Sequence, residues 1–537
     1  MSDGFDYVLV GSGPAACVLA DRLTEEPGVR VCVLEAGIAD TSMYVRIPAG
    51  FVKMLYNPAF LWPYASTPTD ATTGRAIKIP QGRIVGGSSS VNGLVYSRGQ
   101  AEDFDDWAAL GNAGWSYREV LPYFKRSERR IGPGDDHYRG RSGALPITNP
   151  DWRNPLCDAF IQGARDLGIP VNADYNGASQ DGVGYFQRFI EGGRRVSCAD
   201  AFLHPAVRRG GVDLRIGAHA DALVFEGTRA TGVRYTRGGA SHMVLARREV
   251  IVCAGTLNSP KLLQLSGVGP AALLKRHGIQ VIRDLPGVGE NLRDHFTVRV
   301  AARARNVTTI NELSRGWRLG LEIARWLAGR PSIIALSPSL IHVFWRSQPE
   351  LARADVQVLF TPASYKEGKN YALDDVPGMS CGARQQRPFS AGHVRIVSGA
   401  VEAYPEVQPN YLTDPRDQQV LLGALRLARR LMASPALAPY FAQETVPGPQ
   451  VASDDELLDF ARQRGSTAYH LVGSCKMGPS SDPMAVVDPQ LRVHGLQKLR
   501  VVDASVMPRV PSANTLAATL MVAEKAADMI RGSRLAN

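Results

Sequence analysis

The residues near the N-terminus whose types and spacing point to chemistry are two glycines and an acid. The segment Gly11-Ser12-Gly13-Pro14-Ala15-Ala16 has the pattern G-x-G-x-x-A, and Glu35 follows further along the chain. In this pattern the first glycine permits a tight turn, and the second lets the backbone approach a pyrophosphate at a helix N-terminus. A carboxylate at the position of Glu35 can accept hydrogen bonds from ribose hydroxyls. The pattern therefore predicts a dinucleotide-binding site.

The surrounding sequence predicts the elements that would position these groups. Phe5–Val10 is a mostly apolar run typical of a buried parallel strand, and an apolar helical stretch follows the glycines through Leu23. Residues 29–34 predict a second strand that ends on Glu35. Strand, glycine turn, helix and second strand form one βαβ unit, which supports the dinucleotide interpretation. The alternative is an ordinary strand–turn–helix with a surface glutamate.

Segments of the same character recur in the middle and at the end of the chain. Residues 82–93 form a second glycine-rich segment, and residues 248–255 predict another buried strand that ends in glycine. Residues 499–502 predict a further strand, and residues 515–531 predict a closing amphipathic helix. Because these elements belong to one kind of domain, the dinucleotide domain is predicted to be discontinuous.

We therefore predict an α/β protein, α+β overall, with two domains. The Rossmann-like cofactor domain is assigned residues 1–150, 192–297 and 464–537. The substrate-binding domain is assigned residues 151–191 and 298–463. The sequence shows no internal repeat and no low-complexity tract.

Composition and charge exclude several classes of protein. The chain has 537 residues, of which 45% are hydrophobic and 21% are charged, as in a soluble globular protein. The formal net charge of +10 is interpreted as a solvated basic surface. No basic run with interleaved aromatic residues occurs, so nucleic-acid binding is not expected. No CxxC or HExxH pattern occurs either, so no metal site is expected.

Cysteine usage and hydropathy bear on the compartment. Seven cysteines without paired spacing suggest free thiols in a reducing compartment. The sequence contains no uninterrupted apolar run of about eighteen residues, so no transmembrane helix is predicted. The N-terminal residues lack the pattern of a secretory signal. We expect a cytoplasmic protein, with peripheral contact at the inner membrane as a further possibility.

Six segments match, in order, the motifs of one protein family. They are GSGPAA with Glu35, GGSSSVNG at 86–93, GTLNSPKLLQLSGVG at 255–269, PGVGENLRDH at 286–295, YHLVGSCKMG at 469–478 and VVDASVMP at 501–508. The sequence thus resembles the glucose–methanol–choline (GMC) family of flavin oxidoreductases over nearly its whole length. It looks most like bacterial alcohol, L-sorbose and choline dehydrogenase-like members. The resemblance implies FAD in the doubly wound domain, a mostly antiparallel sheet with helices over the flavin, and oxidation of alcohols.

The resemblance also implies which residues contact FAD. The expected contacts are Gly11, Ser12, Gly13, Pro14, Ala15, Glu35, Ala36, Trp62, Arg83, Gly87, Ser88, Asn92, Gly93, Leu94, Val95, Ala220, Ala254, Gly255, Asp503, Ala504, Asn514 and Thr515. Some family members attach FAD covalently through a histidine at the position that Val91 occupies here. Because valine cannot form that bond, the FAD is predicted to be non-covalent.

Two residues carry the chemistry by this resemblance. His470 matches the family's active-site histidine, and Asn514 matches a second position that is histidine or asparagine across the family. A neutral histidine suits a base that takes the hydroxyl proton, and an asparagine can hold the hydroxyl oxygen without titrating. The expected reaction oxidises a primary alcohol to the aldehyde by hydride transfer to flavin N5. The main alternative is a flavin-containing lyase of the same family with no net redox change. A light-driven decarboxylase and a non-enzymatic flavin-binding protein are further alternatives.

The substrate pocket and the electron acceptor are less constrained by the sequence. Tyr96 and Tyr469 lie near the flavin motifs and are candidates for the pocket, whereas His295 is expected to be structural. Choline-oxidising members hold the trimethylammonium group with an acid and aromatic rings, and Arg303 falls roughly where that acid would be. A neutral or anionic alcohol, and not choline, is therefore expected. Oxygen, a quinone and another carrier are all left open as the acceptor.

Residues 315–330 predict a helix with two interpretations. Arg315, Arg318, Glu322 and Arg325 fall on one face, with tryptophan, leucine and alanine around the remainder. A basic amphipathic helix that contains tryptophans can lie on a membrane surface. The alternative is a helix packed over the substrate domain.

Overall fold

The computed structural model describes residues 4–366 and 372–532, and its first large sheet has seven strands. Their spatial order is Val212–Ile216, Val31–Glu35, Phe5–Val10, Ala240–Val252, Arg229–Arg237 and His219–Glu226, with Leu499–Val501 also paired to Ala240–Val252. The first four strands in this order pair in parallel, and Leu499–Val501 also pairs in parallel with Ala240–Val252. The last two strands, Arg229–Arg237 and His219–Glu226, join the sheet antiparallel. Phe5–Val10 and Val31–Glu35 are buried along their whole length, as expected of parallel strands covered on both faces.

The second large sheet also has seven strands, and every pair in it is antiparallel. Their order is Phe441–Val446, Phe296–Ala304, Gly378–Gln385, Val356–Thr361, Ile341–Trp345 and Gly182–Tyr185, with Ser466–Thr467 also paired to Phe296–Ala304. A mostly parallel sheet with helices beside an antiparallel sheet confirms the predicted fold class.

The remaining strands form smaller sheets of two or three strands outside the two large sheets. They comprise Leu61–Trp62 with Gln81–Gly82, Glu128–Arg130 with Leu145–Ile147, Ile190–Glu191 with Arg194–Arg195, Val268–Gly269 with Arg283–Asp284, and Glu290–Leu292 with Gly392–Arg395 and Glu406–Gln408.

The α-helices are divided between the two large sheets and their connections. Those of eight or more residues are Pro14–Leu23, Ala101–Ala109, Tyr117–Ser127, Pro155–Asp166, Gly255–Leu265, Gly316–Leu327, Pro415–Met432, Asp454–Arg464 and Leu516–Gly532. The shorter ones are Met43–Arg46, Phe51–Met54, His204–Arg208, Ala271–Arg276 and Ile310–Leu313. Among the residues described, no helix is both long and apolar enough to cross a membrane.

Each large sheet has its own apolar core. Pro14–Leu23 and Leu516–Gly532 pack against each other and bury their apolar residues with the first sheet. Pro415–Met432 packs on the second sheet. Its start is well defined because the Asp414 side chain accepts a hydrogen bond from the Arg416 amide and Pro415 occupies the first helical position.

The predicted elements form, with boundaries that differ by a few residues. The strand predicted at 29–34 spans Val31–Glu35, and the one predicted at 248–255 is the end of the longer strand Ala240–Val252. The division into two domains stays a prediction. Residues 296–297 and 466–467, both assigned to the cofactor domain, pair within the second sheet.

Candidate active site

A large cavity lies between the two sheets. On one side it is lined by residues at the carboxyl ends of parallel strands, including Val10, Glu35 and Cys253. On the other side it is lined by the second sheet, including Arg299 and Arg384. Ligands of doubly wound sheets bind at the carboxyl ends of the strands, so this cavity is the candidate site.

The glycine motif and the acid meet in this cavity as the sequence predicts. Gly11 has φ +99°, and a Cβ there would lie 2.6 Å from the Cys253 carbonyl oxygen, so only glycine fits the turn. Glu35 is buried, and it accepts hydrogen bonds from the Ser12 amide (3.0 Å), the Ser12 hydroxyl (2.5 Å) and the Gly37 amide (2.7 Å). Burial raises the pKa of Glu35, although these hydrogen bonds oppose the shift.

The N-terminus of the helix Pro14–Leu23 fits a pyrophosphate. Gly13 is the N-cap, no side chain caps the helix, and its first turn has no acid. The second glycine-rich segment lies against it: a Cβ on Gly87, which has φ +55°, would lie 2.7 Å from the Gly13 Cα. The uncapped amides and the absence of side-chain bulk are what a dinucleotide such as FAD requires.

At the other end of the cavity, His470 lies in a continuous set of hydrogen bonds. Its Nε2 is 2.9 Å from Asn514 Nδ2, and its Nδ1 is 2.9 Å from His295 Nδ1. His295 Nε2 in turn lies 2.7 Å from the Gln386 carbonyl oxygen. The His470 amide donates to Asp294 Oδ1 at 2.8 Å. Both histidine rings are buried.

These contacts determine where the protons sit. The Gln386 carbonyl only accepts, so His295 Nε2 carries the proton and His295 Nδ1 is an acceptor in the neutral ring. His470 Nδ1 must then be the donor to His295, and His470 Nε2 keeps its lone pair. Asn514 Nδ2 donates to that lone pair. His470 and Asn514 both line the cavity, so a hydroxyl that replaced Asn514 Nδ2 at this position would meet the unprotonated nitrogen of a neutral imidazole.

The electrostatics keep both histidines neutral. Burial, reinforced by Arg384, lowers the pKa of His470 well below its usual value and that of His295 to about 3. The Asp294 carboxylate accepts from Thr467, from Tyr411 (2.6 Å) and from the His470 amide, and burial raises its pKa to about 6. Asp294 thus holds the backbone of His470 rather than its ring.

Most of the predicted site residues line the cavity together. They are Gly11, Ser12, Gly13, Pro14, Ala15, Glu35, Ala36, Trp62, Gly87, Ser88, Asn92, Gly93, Leu94, Val95, Ala220, Ala254, Gly255, Tyr469, His470, Asp503, Ala504, Asn514 and Thr515. Tyr469 has φ +65°, and its hydroxyl lies 2.8 Å from that of Tyr56.

Two predicted residues lie outside the lining. Arg83 places its guanidinium 4.4 Å from the centre of the Trp62 ring, behind a residue that does face the cavity. Tyr96 is buried in the core of the first sheet, so its assignment to the substrate pocket is corrected. Proximity to a motif in sequence did not reveal which way this side chain points.

The cavity also contains polar residues that the sequence analysis did not single out. They include Ser89, His219, Thr256, Asn258, Lys261, Thr297, Arg299, Thr361, Tyr365, Ser380, Arg384 and Thr467. The alternation of Phe296–Ala304 was a usable signal, because Thr297 and Arg299 share one face of that strand. Which face meets the cavity depends on the neighbouring strand, which no local pattern identifies.

Comparisons with known proteins agree with this architecture. The family models described as GMC oxidoreductase match residues 5–297 and 388–523. The fold, the cavity and these family models define an FAD-dependent oxidoreductase. The chain belongs to the GMC oxidoreductase family.

Individual relatives match nearly the whole chain. Mitochondrial choline dehydrogenase of Homo sapiens is 39% identical over 99% of this chain and 90% of its own length. Oxygen-dependent choline dehydrogenase of Rhizobium etli is 40% identical over 98% of this chain and 96% of its own. The structure of pyridoxine 4-oxidase from Mesorbium loti has a TM-score of 0.88 at 32% identity, covering 98% of this chain and 99% of that one. An FAD-dependent oxidoreductase from Chaetomium thermophilum has a TM-score of 0.90 at 27% identity, covering 99% and 100%.

The expectation that excluded choline was wrong. The relatives just described include choline dehydrogenases that match this chain almost from end to end. The structural premise also fails, because Arg303 is exposed and lies outside the cavity lining. Arg303 pairs with Gly378 and Gln443 near the C-terminal end of the strand Phe296–Ala304. The sequence comparison that placed Arg303 at the position of the choline-binding acid was therefore displaced along the strand.

Proposed function

We propose that this chain oxidises a primary alcohol to the aldehyde, with His470 as the base that takes the hydroxyl proton. The observation that carries the proposal is the set of hydrogen bonds that leaves His470 Nε2 unprotonated in the cavity. FAD, when bound in the cavity, supplies the acceptor for the hydride. The lyase alternative gains no support from the relatives described above.

Asn514 is proposed to hold the alcohol oxygen beside this base. Its Nδ2 contacts His470, and its Oδ1 is buried without a hydrogen-bond partner among the described residues. That oxygen can accept from a second donor on the substrate, whereas Nδ2 has two hydrogens and can donate the one not directed at His470. Asn514 can donate to the alcohol oxygen while the hydroxyl proton points to His470 Nε2.

His295 is proposed as a positioning residue for the base. Its Nδ1 accepts a hydrogen bond from His470 Nδ1–H and so holds that ring in the tautomer whose Nε2 accepts. When His470 takes the substrate proton it becomes a cation in a buried site. Departure of the hydride removes negative charge from the substrate oxygen, and the carbonyl product then no longer needs the donated hydrogen bond.

Choline is the first substrate to test because of the choline dehydrogenase relatives. The purified yellow protein is mixed anaerobically with choline, with the uncharged analogue 3,3-dimethylbutan-1-ol and with a panel of primary alcohols, and the flavin absorbance is followed. Bleaching establishes dehydrogenation, and the comparison of choline with its analogue measures the contribution of the ammonium charge. Absence of bleaching by every primary alcohol would contradict the proposal.

Admitting air to the bleached sample then tests the acceptor. Rapid return of the oxidised spectrum identifies oxygen as an efficient acceptor. Slow return, together with rapid return on addition of a quinone, identifies a dehydrogenase with a different carrier.

A further inference from the structure

The helix Gly316–Leu327 presents apolar residues to solvent. Trp317 is 76% exposed, Leu327 is 73% exposed and Leu321 is 45% exposed. Gly320 and Ala324 lie on the same exposed face at helical spacing. A helix on the surface of a globular protein normally turns such a face toward the core, so this arrangement is inverted.

The opposite face of this helix holds it to the protein by polar contacts. Glu322 is its one buried residue, and it accepts a hydrogen bond from the Ile333 amide at 2.9 Å. Trp326 Nε1 donates to the Gly193 carbonyl at 2.8 Å. The outward orientation of Trp317 and Leu327 is therefore fixed by contacts that a simple rotation of the helix would break.

Arginines border this apolar face, although Arg315 pairs with Asp375 at 2.5 Å and Arg318 pairs with Glu312 at 3.4 Å. Residues 315–330 contain four arginines and one acid, and that acid is the buried Glu322. The Arg318 guanidinium lies 5.7 Å from the Trp317 ring centre, and Arg325 pairs with Glu322 at 3.0 Å while its side chain stays 49% exposed. Arg330 is exposed just beyond the helix.

We propose that this helix docks the protein on a membrane surface that contains anionic lipids. Exposed tryptophan and leucine can enter the boundary between head groups and acyl chains, while neighbouring arginines remain at the phosphate level. Basic residues near an anionic membrane surface are attracted to it, and the attraction weakens as the salt concentration rises. A second copy of the chain is a poorer occupant, because a two-fold contact would place the same arginines against each other.

The docking surface adjoins the wall of the cavity. Residues 333–335, which follow the helix, contact Pro48–Gly50, and the next residue, Phe51, lines the cavity together with Leu55. Val52, between these two, is 44% exposed. Docking through the helix therefore brings this wall of the cavity toward the lipid.

Flotation with vesicles tests the proposal on the full-length holoenzyme. The wild type, the variant Trp317→Ser/Leu327→Ser and the control Met243→Ser are mixed with phosphatidylcholine vesicles that contain or lack phosphatidylglycerol. Met243 is a matched control because it is 60% exposed and lies on the strand Ala240–Val252 of the other sheet. Flavin absorbance and turnover with a soluble acceptor verify that each variant is folded.

The wild type and Met243→Ser are expected to float with the anionic vesicles, and high salt is expected to weaken their binding. The double variant is expected to bind about tenfold or more weakly, because it no longer buries two large side chains. Equal binding by the double variant, or no binding by the wild type, would overturn the proposal. The proposal would also be overturned if, in the absence of lipid, the wild type formed a dimer and the double variant did not.

Discussion

His295 and His470 face each other through their Nδ1 atoms, which lie 2.9 Å apart in a buried pair. Two neutral imidazoles can share such a contact only if one donates and the other accepts. The Gln386 carbonyl removes the ambiguity because it requires the proton on His295 Nε2. A backbone oxygen outside the cavity thereby determines which nitrogen of His470 is unprotonated.

Replacing His470 by alanine tests its assignment as the base. Turnover is expected to fall by about 10²–10⁴-fold while FAD stays bound, because general-base catalysis contributes that much and the ring is not needed to hold the cofactor. Steady-state kinetics and the flavin spectrum provide the two readouts. His242→Ala is the control because His242 is exposed on a strand away from the cavity. Near-wild-type turnover in His470→Ala would remove this residue from the mechanism.

Variants at His295 separate positioning from mere packing. His295→Leu leaves the His470 Nδ1–H buried and without an acceptor, which disfavours the reactive tautomer by about 1–3 kcal/mol and is expected to lower kcat about 5–150-fold. His295→Gln retains an acceptor oxygen and is expected to recover a large part of that loss. A purely structural role would instead give equal losses of kcat and equal falls in thermal stability in the two variants.

The pH dependence of kcat/KM tests the protonation state of the base. Because burial lowers the pKa of His470, its neutral form persists well below pH 6.5, and activity should not be lost through this group near that pH. The Asp294 carboxyl has a pKa of about 6, so an acid limb there is assigned to its protonation. That limb is expected to disappear in Asp294→Asn. A limb near pH 6.5 that persists in this variant would contradict the assignment.

The glycine at position 11 is expected to be indispensable for cofactor binding. In Gly11→Ala the new Cβ would meet the Cys253 carbonyl at 2.6 Å in a backbone of φ +99°, so FAD retention and thermal stability should both fall. Gly210→Ala is the matched control, since Gly210 has φ +88° but nothing within 4 Å of the added atom. It should cost about 1–2 kcal/mol of backbone strain and leave FAD bound. Equal effects in both variants would mean that the close approach to Cys253 is unimportant.

The attachment of FAD is tested by acid precipitation. Val91 lines the cavity where some family members carry the linking histidine, and valine has no group that can bond the flavin. The yellow chromophore is therefore expected in the supernatant. Colour that stays with the precipitated protein would show a covalent link through another residue.

The sequence predicted the parts of this site that depend on local backbone demands. Gly11, Gly13 and Glu35 are recognisable because a tight turn, a close backbone approach and a strand end impose residue types at fixed spacing. His470 and Asn514 are recognised through the resemblance, and the structure brings them to within hydrogen-bond distance.

What the sequence did not predict depends on contacts between distant segments. The misplaced Arg303 and Tyr96 reflect a strand register and a side-chain direction that only neighbouring elements define. The role of His295 depends on Gln386, which lies on a different segment. The exposed apolar face of Gly316–Leu327 was visible as an amphipathic pattern, but only the buried Glu322 shows which side faces outward.

The pairing of Ser466–Thr467 with the second sheet has a consequence for how the enzyme unfolds. Thr467 pairs with Phe296 and Ser466 pairs with Thr297, and His470 lies three residues after Thr467, whereas Asn514 precedes the C-terminal helix packed with the first sheet. The proposed catalytic pair is thus assembled from two structural halves that must both be intact. Partial melting of the antiparallel half is expected to abolish turnover while the nucleotide-binding half still retains its flavin, so inactivation should precede loss of colour on heating.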